Sequence, residues 1–545
     1  MLLFICIGLR ALRYDANQLV ILPLRRLLRI VLRCKCELFK ISQHLCFYST
    51  ILFPDATNPL AASAPTSLKK KKFSEKASVN SIDDFGLFEN DLDFNGNDTL
   101  GNYETERLIT AVTKITDLLR KCWGVAGAGI ISSNLARNTN GEKVLFNPRV
   151  PGKLVYALFG FAGINDYLYL MRSLDKDVME LINDIAVVLH NEAYRWGLGD
   201  SGQCNKNLGS AFLMVYRIGD FEEVRKKNDE AKKVIFSNED FSSSITSKIP
   251  GSSNLNDKLN NIHLASLPGI NAFGDRALLG LLKTFAGLKR EPKLNTWEKD
   301  YRVGGGVDAF TLEMSFGMDA GWAVEGAVGS NHKIDATYLS SHVNMASRMM
   351  SACKQYKLAI LLSQAVEELL SKECRSKLRH IDTVYVKGSK AAQRIYTYDA
   401  RHQGVDFFLN KRIDAIADKE AQQYTSQIWD RDQDLLDIRS HISESFLNTY
   451  KHGLSQYLLG NWKDAVAQLE MANEIMIKDI LESGRIEVVT SMRKRIMDPS
   501  TEDEDAIHWR GNLGDGPAQT IISYIKNRNC QCPDTWNGVR ELTSK

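Results

Sequence analysis

The sequence predicts an α+β domain followed by a helical region, and three observations carry that prediction. Strand-like apolar runs recur at residues 153–167, 211–215, 309–318 and 359–363. Between the first two, Val178, Leu181, Ile182, Ile185 and Leu189 fall at helical spacing and form one apolar stripe. Beyond residue 400, Gly453, Tyr457, Gly460, Ala465, Leu469 and Ala472 approximate one tetratricopeptide-like helical pair, with small residues where two helices must cross closely. Strands and helices in this order suit a ferredoxin-like antiparallel sheet with its helices on one face.

Taken in order, residues 1–60 read as a basic, membrane-proximal segment. Residues 1–9 are apolar, and no basic run precedes them as it would in a signal peptide. Residues 19–33 are basic and amphipathic, which predicts association with an anionic membrane surface. Residues 61–100 shift from basic (Lys69 to Lys72) to acidic amid Ser, Asn and Gly, a linker composition. Inside the linker, residues 91–96 imitate the start of a calcium loop, but Asn102 stands where a bidentate Glu is needed. Residues 101–149 hold an amphipathic helix marked by Leu108, Ile109, Val112, Ile115, Leu118 and Leu119.

The α+β domain spans 150–400. Within it, 222–298 reads as a charged, Ser- and Asn-rich surface insert, since loop closure costs little extra for added length. Gly304, Gly305 and Gly306 predict a turn, because no Lys-Ser/Thr follows to make a phosphate cradle. Residues 401–545 form the helical region. Composition bounds the partners. The 545 residues carry a net charge of +3, and no basic stripe is interleaved with aromatics, which excludes nucleic acid. The ten cysteines lack zinc-finger spacing and predict reduced thiols in the cytosol.

Asn344 and Arg348 are four residues apart, so on a helix they share one face. An amide beside a guanidinium, on a helix that follows a Gly-rich turn at 325–330, suits a phosphate that changes shape during reaction. The whole run 321–349, from Gly-Trp-Ala-Val-Glu-Gly to His-Val-Asn-Met-Ala-Ser-Arg-Met, resembles the core of the class III adenylate/guanylate cyclase homology domain. More specifically, it looks like the version in protist membrane cyclases, over most of the chain beyond residue 100. Residues 15–26 resemble the segment after the last transmembrane helix of those proteins, which implies that residues 1–9 are the truncated stump of that helix.

That resemblance implies a site shared between two cyclase domains. It implies two divalent cations, Mg or Mn, held by an Asp ending the first strand and an Asp in the following hairpin, where they acidify the 3′-hydroxyl and neutralise the leaving pyrophosphate. Gly163 and Ser210 stand at those positions, and neither supplies an anionic oxygen. Asp166 comes three residues late and Asp220 a full strand beyond. A metal is therefore expected only if a partner chain supplies the ligands.

The other half of the resemblance is intact. Lys206 and Thr337 match the base-reading positions, Asn344 and Arg348 match the residues that hold the ribose and the α-phosphate charge, and Lys387 matches the lysine on the terminal phosphates. The expected partners are ATP or GTP, a second cyclase domain and a membrane. The expected role is the base-reading, transition-state half of a hetero- or homodimer, in a cytosolic domain at a membrane. An inactive regulatory or scaffolding partner stands beside it, and an active homodimer behind both. The helix in 101–149 would pair with a partner's copy or pack on its own domain. The tail at 515–517 and 533–540 resembles the one that follows the domain in the same proteins, as a docking or capping element.

Overall fold

A computed structural model describes residues 151–198, 201–237, 262–303, 310–330, 333–386, 391–402, 413–483, 490–498 and 500–542, together with four helical positions, Thr110, Lys114, Lys121 and Gly127. The chain divides into two units, Met1–Trp123 and Gly124–Lys545, and every element below belongs to the second. The expectations for 1–60, for the linker with its calcium-like loop, for nearly all of the 101–149 helix, for Gly304 to Gly306 and for Lys387 fall outside the described residues.

The centre of the sheet is β1 (Lys153–Ile164), a nearly unbroken apolar run buried on both faces. It pairs antiparallel with β3 (Ala211–Asp220) on one side and β4 (Met314–Gly329) on the other, and β2 (Gly202–Asn207) pairs with β3. Two helices follow β1, a short α1 (Tyr167–Leu174) and α2 (Val178–Trp196), and α3 (Ile270–Arg290) precedes β4. The order β2-β3-β1-β4, with α2 and α3 in the crossovers, is ferredoxin-like. Alternation along β1 separates two cores. Tyr156, Leu158, Ala162 and Ile164 pack with α2 and α3, whereas Val155, Ala157, Phe159 and Phe161 face the other way.

Three expectations are corrected. The sheet is mixed, and its helices are not confined to one face. After β5 (Ile334–Leu339) pairs with β4, helix α4 (Ser341–Tyr356) crosses over so that β6 (Ile360–Ser363) can lie parallel to β4. A parallel neighbour requires such a crossover. Helix α4 therefore covers the Phe159 face through Val343, Ala346 and Met350, opposite α2 and α3. Second, 222–298 is not all surface insert, because α3 lies within it and buries Leu278, Leu279, Leu281, Leu282 and Phe285. Third, the Gly-rich stretch before the Asn344 helix is no turn: Glu325 to Gly329 complete β4, and β5 intervenes.

Beyond β7 (Arg379–Val386) and β8 (Gln393–Thr397), α5 (Glu444–Leu459) and α6 (Trp462–Glu482) form a helical hairpin. They cross at Gly453, where a Cβ would stand 2.9 Å from Leu469 Cγ. Their apolar faces close over α7 (Gly516–Lys526) through Ile521 and Ile525. The region is not wholly helical, since β9 (Arg540–Leu542) pairs parallel with β7, Arg540 opposite Val384. Beneath the hairpin Arg379 is clasped by Asp399 and Asp515, its Nη2 lying 2.9 Å from Asp515 Oδ1, and its guanidinium lies 4.4 Å from the centre of the Tyr450 ring.

Candidate functional site

The site grows from the end of β1. Gly163 pairs with Ala211 of β3, and the next amide, Ile164 N–H, donates to Ser210 O at 2.8 Å. The fold thus sets the two expected metal-ligand positions side by side. Their chemistry does not suit a cation. Gly163 belongs to the β1 face that α4 covers, and a Cβ there would stand 2.6 Å from Met350 Sδ. A thioether fills the space a carboxylate would need.

Among the described residues no neighbouring acid makes up the deficit. Asp166 is exposed and lies 3.8 Å from Lys354 Nζ. Asp220 closes β3 against Arg217, which also reaches Glu325 at 3.2 Å. Among the described residues no three His, Cys, Asp or Glu side chains gather as a metal set. What opens beside Ser210 is a cleft of about 770 Å³, where, among the described residues, Asp166 is the one carboxylate beside the rings of Tyr167, Tyr169 and Phe310, with Lys354 alongside.

Helix α4 starts at a serine cap. Ser340 Oγ accepts from His342 N–H at 3.0 Å, satisfying a first-turn amide, and donates to the Trp322 carbonyl at 2.5 Å. The His342 ring is fixed by Asp319, Nδ1 to Oδ2 at 2.9 Å, and Asp319 also accepts from Ser363 Oγ. Met345, Ala346, Met349, Ala352, Cys353 and Tyr356 form the buried stripe. Asn344 and Arg348 lie off that stripe, Asn344 exposed and Arg348 half-buried. Arg195, Arg379 and Arg540 are all matched by carboxylates. No carboxylate among the described residues pairs with Arg348.

Lys206 stands near the end of β2, opposite Leu213, after a bulge that leaves Asn205 outside the ladder. Burial pushes the neighbouring Cys204 thiol up to about 12, and its Sγ donates a hydrogen bond to the Lys206 carbonyl at 3.7 Å. Thr337 pairs with Gly326 at the far end of β4. In the strand order β3, β1 and β4 separate Lys206 from Thr337. The fold therefore joins Gly163 with Ser210, and Asn344 with Arg348, but spreads the two base-reading positions across the sheet. Lys387, next after β7, is outside the described residues.

Sequence reasoning missed Met350 and the Asp319–His342–Ser363 contacts. The glycine at 163 could have hinted at a filled space. Nothing local links Asp319 to His342, 23 positions apart.

Comparison with known proteins follows the same outline. Residues 198–400 match the family described as the adenylate and guanylate cyclase catalytic domain. Residues 50–136, almost wholly outside the described part, match the RasGEFs all helical domain. A terminal-differentiation-specific adenylate cyclase of Dictyostelium discoideum is 33% identical over 87 residues, 16% of this chain and 4% of that protein. An adenylate cyclase of Anabaena cylindrica is 38% identical over 90 residues, 16% of this chain and 18% of that protein. The chain thus spans a small part of either relative's length. Among solved structures, a bacterial light-regulated adenylyl cyclase aligns over 60% of this chain and 71% of its own, at 16% identity and TM-score 0.35. The guanylate cyclase domain of RhGC from Catenaria anguillulae, in complex with GTP, aligns over 45% of this chain and 96% of its own, at 17% identity and TM-score 0.28.

Proposed function

Residues 198–400 of this chain belong to a class III adenylate/guanylate cyclase homology domain, and from that premise we propose that the chain is the base-reading, transition-state half of a dimeric nucleotidyl cyclase. The observation that carries the proposal is an asymmetry within one domain. Gly163 is closed off by Met350, while Arg348 is half-buried and pairs with no carboxylate among the described residues. A half-buried guanidinium off the buried stripe of α4 can stabilise charge on a phosphate held between two chains, and loss of such a donor elsewhere costs roughly 10²–10³ in rate. Asn344, one helical turn earlier, holds the ribose. Lys206 and Thr337 read the purine of ATP or GTP, and Lys387 takes the terminal phosphates.

The residues at the metal positions do not suit Mg or Mn, so both cations come with the partner, a second cyclase domain that keeps its two acids. The chain alone with Mn²⁺ and ATP or GTP is expected to make essentially no cyclic product. Mixed with a cyclase domain bearing both acids, it raises cyclic nucleotide output, and Arg348→Ala removes roughly 10²-fold or more of that gain. Strong activity of the chain alone would defeat the proposal. A second reading, a non-catalytic regulator that only dimerises, is favoured by the same Met350 plug. Rescue indifferent to Arg348→Ala decides for it.

A further inference from the structure

We infer that Arg540 is a positioning residue of the nucleotide site, and that residues 511–542 are a built-in strut for the helix carrying Asn344 and Arg348. The inference rests on the cyclase reading for its kinetic consequence, and on packing alone for its structural one.

Four contacts grip the C-terminal end of α4, all from that segment. Thr520 Oγ donates to the Gln355 carbonyl at 2.8 Å. Lys357 Nζ donates to the Gly511 carbonyl at 3.2 Å and to Gln519 Oε1 at 3.1 Å. Gly516 lies against the Tyr356 carbonyl, closely enough to exclude any side chain. Arg540 reaches deepest. Its Nε donates to Asp382 Oδ2 at 3.0 Å, where the Tyr356 hydroxyl also donates at 2.8 Å, and its Nη2 meets the same Tyr356 oxygen. Its guanidinium lies 5.2 Å from the Tyr356 ring centre.

Tyr356 is fully buried and Asp382 is 0% exposed, so removing the guanidinium leaves an unmatched interior carboxylate beside the helix end. Helix α4 is continuous from Ser341 to Tyr356. Its far end cannot tilt without carrying Arg348, roughly 12 Å away along the axis at 1.5 Å per residue.

The test compares Arg540→Ala and Arg540→Lys in the full chain. Hydrogen exchange followed by mass spectrometry is expected to rise roughly 10-fold across 341–356 in Arg540→Ala, with 178–196 unchanged. In the mixture with an acid-bearing cyclase domain, kcat falls roughly 10- to 100-fold, the scale of a ~1 Å misplacement, while KM changes little. Arg540→Lys restores part of both. Should Arg540→Ala fail to fold, Thr520→Val removes a single side-chain grip on α4 and is read by the same exchange window.

Unchanged exchange at 341–356, or an equal rise at 178–196, overturns the strut and leaves Arg540 a general stabiliser. Exchange needs no cyclic product. Failed complementation by the unaltered chain therefore sinks the cyclase reading, while the strut stands or falls on exchange.

Discussion

Gly163 and Met350 face each other across the interface of β1 and α4, and between them they set what this site can hold. The sequence shows directly that a glycine and a serine, not acids, stand at positions 163 and 210. It hides Met350, whose role depends on α4 crossing to the opposite face of the sheet. Asn344 and Arg348 were legible for the reverse reason: their relation is a spacing of four along one helix, which needs no tertiary knowledge. The pair makes a measurable forecast. Gly163→Asp alone overpacks against the thioether and destabilises by about 1–3 kcal/mol, seen as a lower Tm. Combining it with Ser210→Asp and Met350→Ala recovers much of that loss and creates a Mn²⁺ site visible by electron paramagnetic resonance. Failure of the triple variant to bind Mn²⁺ would show that more than these three side chains was lost.

Among the elements, those with strong local periodicity were readable and those defined by distant pairing were not. The stripe from Val178 to Leu189 is buried as expected in α2. Helix α3 was misread because Ser- and Asn-rich residues run up to it and pull the whole span toward a loop composition. The Gly-rich end of β4 looked like a turn until β5 was found paired along it. Strand β7 makes a prediction of its own. Burial, with the charge of Arg394, holds the His380 imidazole down at about 4, against the hydrogen bond to the Asp382 carbonyl. Between the ordinary value of about 6.5 and this lowered one, the unfolded chain binds a proton the folded chain refuses, so stability falls as pH drops through that window. The slope is at most about 1.4 kcal/mol per pH unit, and His380→Gln should flatten part of it in urea melts at pH 7 and pH 5. Identical slopes in both proteins would remove His380 from the account.

For the whole molecule, the sheet and the C-terminal helices are one structure rather than a domain and an appendage. Arg379 of β7 is held by Asp399 and Asp515, and Arg540 by Asp382, so buried charges from both regions meet in one triad and one pair. Such closure was invisible in the sequence, since partners more than a hundred positions apart leave no pattern. The basic segment 19–33 makes a claim at this scale too. The full chain should co-sediment with phosphatidylserine vesicles and release as salt rises, and substituting Arg25, Arg26, Arg29 and Arg33 with Gln should abolish the effect. Sedimentation unaffected by those changes would assign membrane contact elsewhere, or nowhere.

One consequence of β9 concerns anyone trimming this protein. The family match stops at residue 400, which invites a shorter fragment ending there. Such a fragment would strip β7 of its outer neighbour, baring unmatched amides and carbonyls next to an uncompensated Asp382. Bare strands of that kind recruit one another into aggregates. Insolubility of the short piece would then report an amputated border rather than an unsound cyclase fold.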